Sequence, residues 1–175
     1  MQEFLNPITI LNNLELREDM AAVDLGAGSG GWVIPLAKRL KYGKVYAVDI
    51  LEEPLSALKG RANIERLANI LTVRANVESE SGIRELNEKS ADLILMTNLL
   101  FQLEKKERVF NEAKRILKSG GNVLIVDWKA GSPLGPRTGI VSIEEVKKLA
   151  KKSGFKFEKE FPAGTYHYAL VFSNS

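Results

Sequence analysis

Val23-Asp24-Leu25-Gly26-Ala27-Gly28-Ser29-Gly30-Gly31 is the stretch from which the rest of the chain can be read. A short apolar run, Ala21 to Leu25, leads into it, and Val33, Ile34, Ala37 and Leu40 lead out at helical spacing. The order is strand, glycine turn, helix. Glycines belong at such a turn because it is tight and because a ligand must approach the backbone closely, where a Cβ would clash. About eighteen residues further on, a second apolar run, Val45-Tyr46-Ala47-Val48, ends on Asp49. A carboxylate at that point can accept hydrogen bonds from both hydroxyls of a ribose. Together these features mark the first half of the chain as the binding site of an adenosine-containing cofactor.

The loop satisfies two patterns. Gly26, Gly28 and Gly31 fit the dinucleotide fingerprint G-x-G-x-x-G, while Asp24, Gly26, Gly28 and Gly30 fit D-x-G-x-G-x-G. Asp24 separates the two, because a carboxylate at the strand end repels a pyrophosphate but suits a cofactor carrying an ammonium and a sulfonium. The second pattern resembles motif I of the class I S-adenosylmethionine-dependent methyltransferases.

The composition narrows the field. At 175 residues the chain is expected to form one domain with a sizeable core, and 45% hydrophobic and 27% charged residues are ordinary for a globular protein. With no cysteine and one histidine, disulfides, thiolate metal sites, a cysteine nucleophile and a histidine-rich metal site are all excluded, so no metal is expected. No apolar run reaches the roughly 18 residues of a membrane span. Met1 to Pro7 lacks a basic region followed by an apolar one, so the expected location is cytoplasmic. A net charge of +3 is too mild to argue for nucleic acid, and either a monomer or a homodimer is compatible.

Taken in order, Asn6-Pro7 reads as a helix start, with Asn6 as N-cap and Pro7 at the first helical position. This short helix, within residues 1–20, either covers the cofactor as a lid or packs on the sheet edge. The helix after the glycine loop is expected to end near Tyr42-Gly43, with Lys38, Arg39 and Lys41 in its last turn. Leu55, Leu58 and Ala62 mark an amphipathic helix, Ile70 to Val73 a third strand, and Leu86 a short helix. Asp92 to Met96 reads as a buried strand followed by the loop Thr97 to Phe101. Val109, Phe110, Ala113, Ile116 and Leu117 are spaced as a helix, which Ser119-Gly120-Gly121 is expected to stop. Val123 to Val126 is a fifth strand ending on Asp127. Ser142-Ile143-Glu144-Glu145 is a capping box, and Phe155 to Phe161 and Thr165 to Ser173 alternate as a hairpin around Pro162-Ala163-Gly164.

Five β-α units and a terminal hairpin resemble the methyltransferase sheet over nearly the whole chain. That resemblance implies an α/β fold with a doubly wound, mostly parallel seven-stranded sheet of order 3-2-1-4-5-7-6, the last strand antiparallel, with helices on both faces. Leu117-Lys118-Ser119-Gly120-Gly121 is similar to the L-K-P-G-G turn of the quinone-biosynthesis methyltransferases, with Ser119 in place of the usual proline. The resemblance also implies roles. S-adenosylmethionine is the cofactor. The glycine loop, Gly26-Ala27-Gly28 with Gly30, wraps it, the Gly26 carbonyl takes the methionine ammonium, and Asp24 supports that charge from below. Asp49 takes the ribose, Ile50 lies against the adenine, and Asn76 and Val77 meet the adenine edge. Asn76 stands where the family often has Asp. Thr97 or Asn98 lines the methionine end. Where amino-methyltransferases of DNA or glutamine carry N/D-P-P-Y/F, this chain has Asn98-Leu99-Leu100-Phe101, and the missing prolines argue against that chemistry.

Methyl transfer from a sulfonium needs in-line alignment and requires a base only where the acceptor must lose a proton. His167, Tyr166 and Asp127 are the candidates for that base, His167 also reading as an ordinary strand-surface residue. The long Gly- and Pro-containing loop of residues 128–141 carries Trp128 and Arg137, candidates for the acceptor site. It reads either as a substrate lid or as a plain connection. The function expected is methyl transfer to a small-molecule acceptor. The alternatives are transfer to protein or RNA, a non-catalytic S-adenosylmethionine-binding module, and a nicotinamide-dependent oxidoreductase, which Asp24 and the terminal hairpin disfavour.

Overall fold

A computed structural model describes residues 3–175. Seven strands form one sheet in the order β3-β2-β1-β4-β5-β7-β6, where β1 is Ala21–Leu25, β2 Lys44–Asp49, β3 Ile70–Arg74, β4 Ala91–Thr97, β5 Leu117–Trp128, β6 Lys156–Ala163 and β7 His167–Ser173. The first five strands run parallel, and β7 pairs antiparallel with both β5 and β6. The expected order and the antiparallel last strand are therefore observed.

The sequence explains the layering. Strands of a parallel sheet covered on both faces read as continuous apolar runs, and in β4 every residue from Leu93 to Thr97 is buried. Alternate residues of β1 serve opposite faces. Ala22 packs with α1 (Pro7–Leu11), α2 (Val33–Arg39) and α3 (Glu52–Ile64) through Leu11, Val33, Leu36, Leu55 and Leu58. Val23 and Leu25 pack with α4 (Lys106–Ile116) and α5 (Ile143–Lys152) through Phe110, Ala113, Ile116 and Val146. Each of the larger side chains contributes about 1.5–3 kcal/mol by its burial. The chain winds away from β1 in both directions, so the order reverses between β1 and β4. A crevice then opens beyond the carboxyl ends of these strands, where open α/β sheets bind their ligands.

The helix caps follow the sequence. Asn6 Oδ1 accepts from the Ile8 and Thr9 N–H groups, and Ser142 Oγ accepts from the Glu145 N–H. Ile10 and Leu11 of α1 are buried in the core beside α2, and Glu3 N–H donates to Thr165 Oγ1 at the β6–β7 turn. The leading helix thus packs on the body of the fold.

Four expectations are corrected. The helix after the glycine loop stops at Arg39, with Leu40 as its cap, short of Tyr42-Gly43. The segment around Leu86 holds no helix. Its Asn76 and Ser79 side chains accept from the N–H groups of Glu78 and Ser81, closing local turns that compete with helix. Ser119-Gly120-Gly121 does not end α4. That helix finishes at Ile116, and Leu117 is already extended. The glycines instead let β5 bulge against β4, where the register shifts between Ala91 and Leu93, and a Cβ on Gly121 would stand 3.0 Å from the Asp92 carbonyl. Finally, Pro162 and Ala163 belong to β6, paired with Tyr168 and His167, and the turn is Gly164-Thr165-Tyr166. Proline is tolerated there because β6 is the edge strand.

Candidate functional site

The glycine turn hangs from the end of β2, where the Val48 carbonyl accepts from the N–H groups of Gly26 at 2.8 Å and Ala27 at 2.9 Å. Gly26, Gly28 and Gly30 all have positive φ (79°, 53° and 88°), which L side chains rarely adopt. Gly30 has a second requirement, since a Cβ there would meet Leu58 Cδ1 at 2.3 Å. Nothing lies within 4 Å of the corresponding position on Gly28, so the turn presents open backbone at its crest.

Asp49 ties the turn to the next helix. Its Oδ2 accepts from the Gly28 N–H at 2.9 Å and its Oδ1 from the Leu51 N–H at 3.0 Å, just before α3. Arg61 reaches back from α3 to donate to the Ser29 carbonyl at 2.9 Å. A cleft of about 240 Å³ lies beside this arrangement, lined by Gly26, Asp49, Ile50, Asn76, Val77 and Leu99 among others. Five of the residues expected to bind cofactor thus meet in one cavity. Ile50 is 54% exposed and Val77 is buried. The Asn76 amide oxygen accepts from the Glu78 N–H at 2.9 Å, which fixes how its amide is presented.

Asp24 lies beneath the turn with no solvent exposure, and neither carboxylate oxygen has a hydrogen-bond partner among the described residues. Burial, and then the Asp49 carboxylate, push its pKa up from the usual carboxylate range to about 8. At the end of β4, Thr97 is buried and Asn98 adopts a left-handed conformation with φ 50°. The Asn98 N–H donates to the Val126 carbonyl, and its Oδ1 is buried without a protein partner.

A second group gathers beyond β5 and β7. Trp128 and His167 are register partners, and their rings stack with centroids 4.0 Å apart. His167 is buried, not on the strand surface as its alternative reading had it, because the antiparallel pairing puts it under Trp128. Both of its ring nitrogens are without hydrogen-bond partners among the described residues, and burial followed by the nearby Lys129 lowers its pKa, leaving a neutral imidazole at pH 7. Asp127 is also buried, and its carboxylate accepts from the N–H groups of Leu100 at 2.9 Å and Trp128 at 2.8 Å, holding the loop after β4 to the end of β5. Burial raises its pKa against these bonds. Tyr166 is half-buried in the hairpin turn, its carbonyl accepting from the Lys129 N–H and Ser132 Oγ. Arg137 is exposed at the loop tip. An apolar cleft of about 350 Å³ between β5 and α5 is walled by Trp128, Val141, Ile143 and Tyr168.

Sequence reasoning missed Leu99, Gln102 and Leu103, which wall the first cleft. Leu99 falls within the expected loop Thr97 to Phe101 and Gln102 and Leu103 just beyond it, and only folding into a 3₁₀ turn at Leu100–Gln102 brings them to the cavity. Glu112 was also missed. It is a buried carboxylate on α4 that accepts from the Ile83 N–H at 2.7 Å and from Arg115, securing the segment that follows Val77.

A protein-family profile described as "Methyltransferase domain" matches residues 23–125, more than half of the chain, and the chain belongs to that family. The class its fold defines is the class I S-adenosylmethionine-dependent methyltransferase. Among solved structures, a SAM-dependent methyltransferase from Aquifex aeolicus superposes with a TM-score of 0.88 at 24% identity, covering 98% of this chain and 91% of that one. A putative type 11 methyltransferase from Sulfolobus solfataricus gives 0.75 at 28% identity, covering 95% and 89%. Two curated relatives are similar over part of the chain. A probable cobalt-precorrin-6B C(15)-methyltransferase (decarboxylating) from Methanocaldococcus jannaschii is 31% identical over 78 residues, 45% of this chain and 42% of its own length. Phosphoethanolamine N-methyltransferase of Plasmodium falciparum is 28% identical over 124 residues, 69% of this chain and 44% of its own. The chain thus matches less than half of the length of either curated relative.

Proposed function

We propose that this chain is an S-adenosylmethionine-dependent methyltransferase that acts as one domain over residues 1–175 and methylates a small-molecule acceptor. The observation that carries the reading is the pair of carboxylates around the glycine turn. One, Asp49, is anchored at the cleft, and the other, Asp24, is buried and unpartnered where a cation would satisfy it. A pyrophosphate would bring Asp24 no counter-charge.

The residues present fit the cofactor. Asp24 and the Gly26 carbonyl serve the cationic amino-acid end, Asp49 the ribose, Ile50 the adenine face, and Asn76 and Val77 its edge. Asn98 offers its unpartnered amide oxygen at the methionine end, next to Thr97. The cofactor when bound supplies an already activated methyl group, so the protein's task is alignment, which is worth on the order of 7–11 kcal/mol for well-oriented reactants. Trp128 and the apolar cleft beside it serve the acceptor, and Arg137, exposed on the same loop, is the candidate for an anionic group on it. The cleft volume, about 350 Å³, suits a small molecule, as do the substrates named for the two curated relatives. The Leu117-to-Gly121 likeness to quinone-biosynthesis enzymes favours the same class. Should the acceptor need to lose a proton, His167 is the group free to take it, since Asp127 is committed to backbone N–H groups. Incubation with methyl-labelled S-adenosylmethionine and a panel of small acceptors tests the reading. Label transferred only to protein or RNA, or to nothing while the cofactor binds, would replace it.

A further inference from the structure

The buried carboxylate of Asp24 has a consequence for how the cofactor binds. Asp24 has no exposed surface, and neither of its oxygens finds a donor. Among the described residues its surroundings offer no cation. Its register partners are Ala47 on β2 and Leu95 on β4, both apolar. The buried residues of the packed helices are Val33, Ile34, Leu36 and Ala37 on α2 and Leu55, Leu58 and Ala62 on α3. The charged group that acts on it is Asp49, a like charge at the end of β2. Arg61, the cation that reaches the turn among the described residues, is exposed and donates to the outer carbonyl of Ser29. An ionised carboxylate in such a place is strongly disfavoured, and the group neutralises itself by holding a proton.

We propose that Asp24 is a proton site coupled to cofactor occupancy, protonated in the free protein and ionised when the ammonium end of the cofactor lies over the turn. The inference rests on the cofactor assignment above. The balance is simple. The carboxyl O–H bond breaks, the proton passes to solvent, and the carboxylate becomes the counter-charge of the ammonium. The sign follows from linkage. Since bound Asp24 holds fewer protons, affinity rises with pH, up to tenfold per pH unit, until about pH 8, where free Asp24 ionises unaided; above that, loss of the cofactor's own ammonium proton turns the profile down.

Calorimetric titration with S-adenosylmethionine, repeated in buffers of different ionisation enthalpy, counts the protons released. Close to one proton per site is expected to be released at about pH 7, whereas at about pH 9 release from Asp24 ends and the cofactor's own amine, largely neutral there, takes a proton up. S-adenosylhomocysteine, which keeps the ammonium, should release a proton as well. 5′-Methylthioadenosine, which lacks the amino-acid end, should release none. The infrared carbonyl band of a protonated carboxyl group should be visible in the free wild-type protein near neutral pH and disappear on saturation with cofactor. Asp24→Asn should lack both the band and the proton release. Binding heats that are independent of buffer at about pH 7, or equal release with methylthioadenosine, would overturn the coupling. A free protein without the band overturns it whether or not Asp24→Asn folds. Absence of any heat with S-adenosylmethionine overturns the cofactor assignment, and the coupling with it.

Discussion

Asp49 and Asp24 are two carboxylates a strand apart with opposite circumstances. Asp49 accepts from the Gly28 and Leu51 N–H groups, so it shapes the glycine turn as well as facing the cleft. Asp49→Ala is therefore expected to weaken S-adenosylmethionine binding by about tenfold to a hundredfold, since hydrogen bonds to a charged group are worth roughly 1.5–3 kcal/mol each and water replaces them in part. It should also lower the Tm, because two backbone donors lose their acceptor. Calorimetry and a thermal melt on the same sample check both, and a folded variant of unchanged affinity would reduce Asp49 to a strand end. For Asp24 the sign runs the other way. A carboxyl whose folded-state pKa is raised to about 8 destabilises the fold progressively as pH climbs from the unfolded value, near 4, toward 8. Replacing it by Asn removes that penalty. The Tm difference between Asp24→Asn and wild type, both without cofactor, should therefore shift in the variant's favour between pH 5 and pH 8. A difference that does not change with pH would mean that Asp24 is ionised in the fold.

At the scale of elements, α4 braces the cleft from behind. Glu112 accepts from Ile83 and Arg115, Arg115 also donates to the Ile83 carbonyl, and Arg108 donates to the Glu78 carbonyl. These bonds substitute for the regular structure that the segment after Val77 lacks. Burial opposes the charge on Glu112, but Arg115 and the Ile83 N–H outweigh it and hold the carboxyl below its usual range. The stability it confers is present above the unfolded carboxylate pKa and is lost as pH falls through the lowered value. Glu112→Ala is expected to destabilise the protein by about 1–3 kcal/mol in urea unfolding near neutral pH, because it leaves the Ile83 N–H without its acceptor and Arg115 with only the Ile83 carbonyl. A loss of less than about 1 kcal/mol would place the bracing elsewhere. The loop of residues 128–141 is also less free than its glycines imply. Ser132 Oγ donates to the Lys129 and Tyr166 carbonyls, Tyr168 donates its hydroxyl to the Val141 carbonyl at 2.9 Å, and a Cβ on Gly139 would meet the Phe101 carbonyl at 2.3 Å. Between these anchors only the stretch around Leu134 and Arg137 stands out, with Leu134 60% exposed. If the loop is a substrate lid, hydrogen exchange should slow in residues 133–138 once cofactor and acceptor are both bound and stay unchanged at the anchors. Equal exchange in the free and bound states would make the loop a plain connection.

For the whole molecule, the cleft lies at the hub of the sheet, where β1, β2 and β4 end together. A ligand bound there bridges both halves of the winding, so occupancy should stabilise the entire fold. S-adenosylmethionine at a hundred times its Kd is expected to add about 2.7 kcal/mol and raise the Tm accordingly, whereas NADH at the same concentration should not. Stabilisation by NADH instead would return the glycine turn to its dinucleotide reading.

Much of this was decided locally. The glycine turn needs glycine wherever φ is positive, Asn6 and Ser142 cap their helices through bonds to near neighbours, and buried parallel strands must be apolar on both faces. These are short-range demands, so single residues announce them, and the order of strand and helix signals then restricts the sheet to few topologies. What the sequence left open depends on partners far along the chain. Gly120 and Gly121 look like a helix stop until β4 is beside them, when they become a bulge. His167 looks like a strand-surface residue until β7 lies against β5 and Trp128 covers it. Leu99 and Gln102 join the cleft only through the 3₁₀ turn, and Glu112 becomes a brace only once Ile83 arrives from 29 residues away. Burial and charge environment are sums over everything that surrounds a group. The carboxyl of Asp24 could therefore be read as a cofactor residue from its motif, while the proton it holds follows only from the apolar walls and the like charge that the folded chain assembles around it.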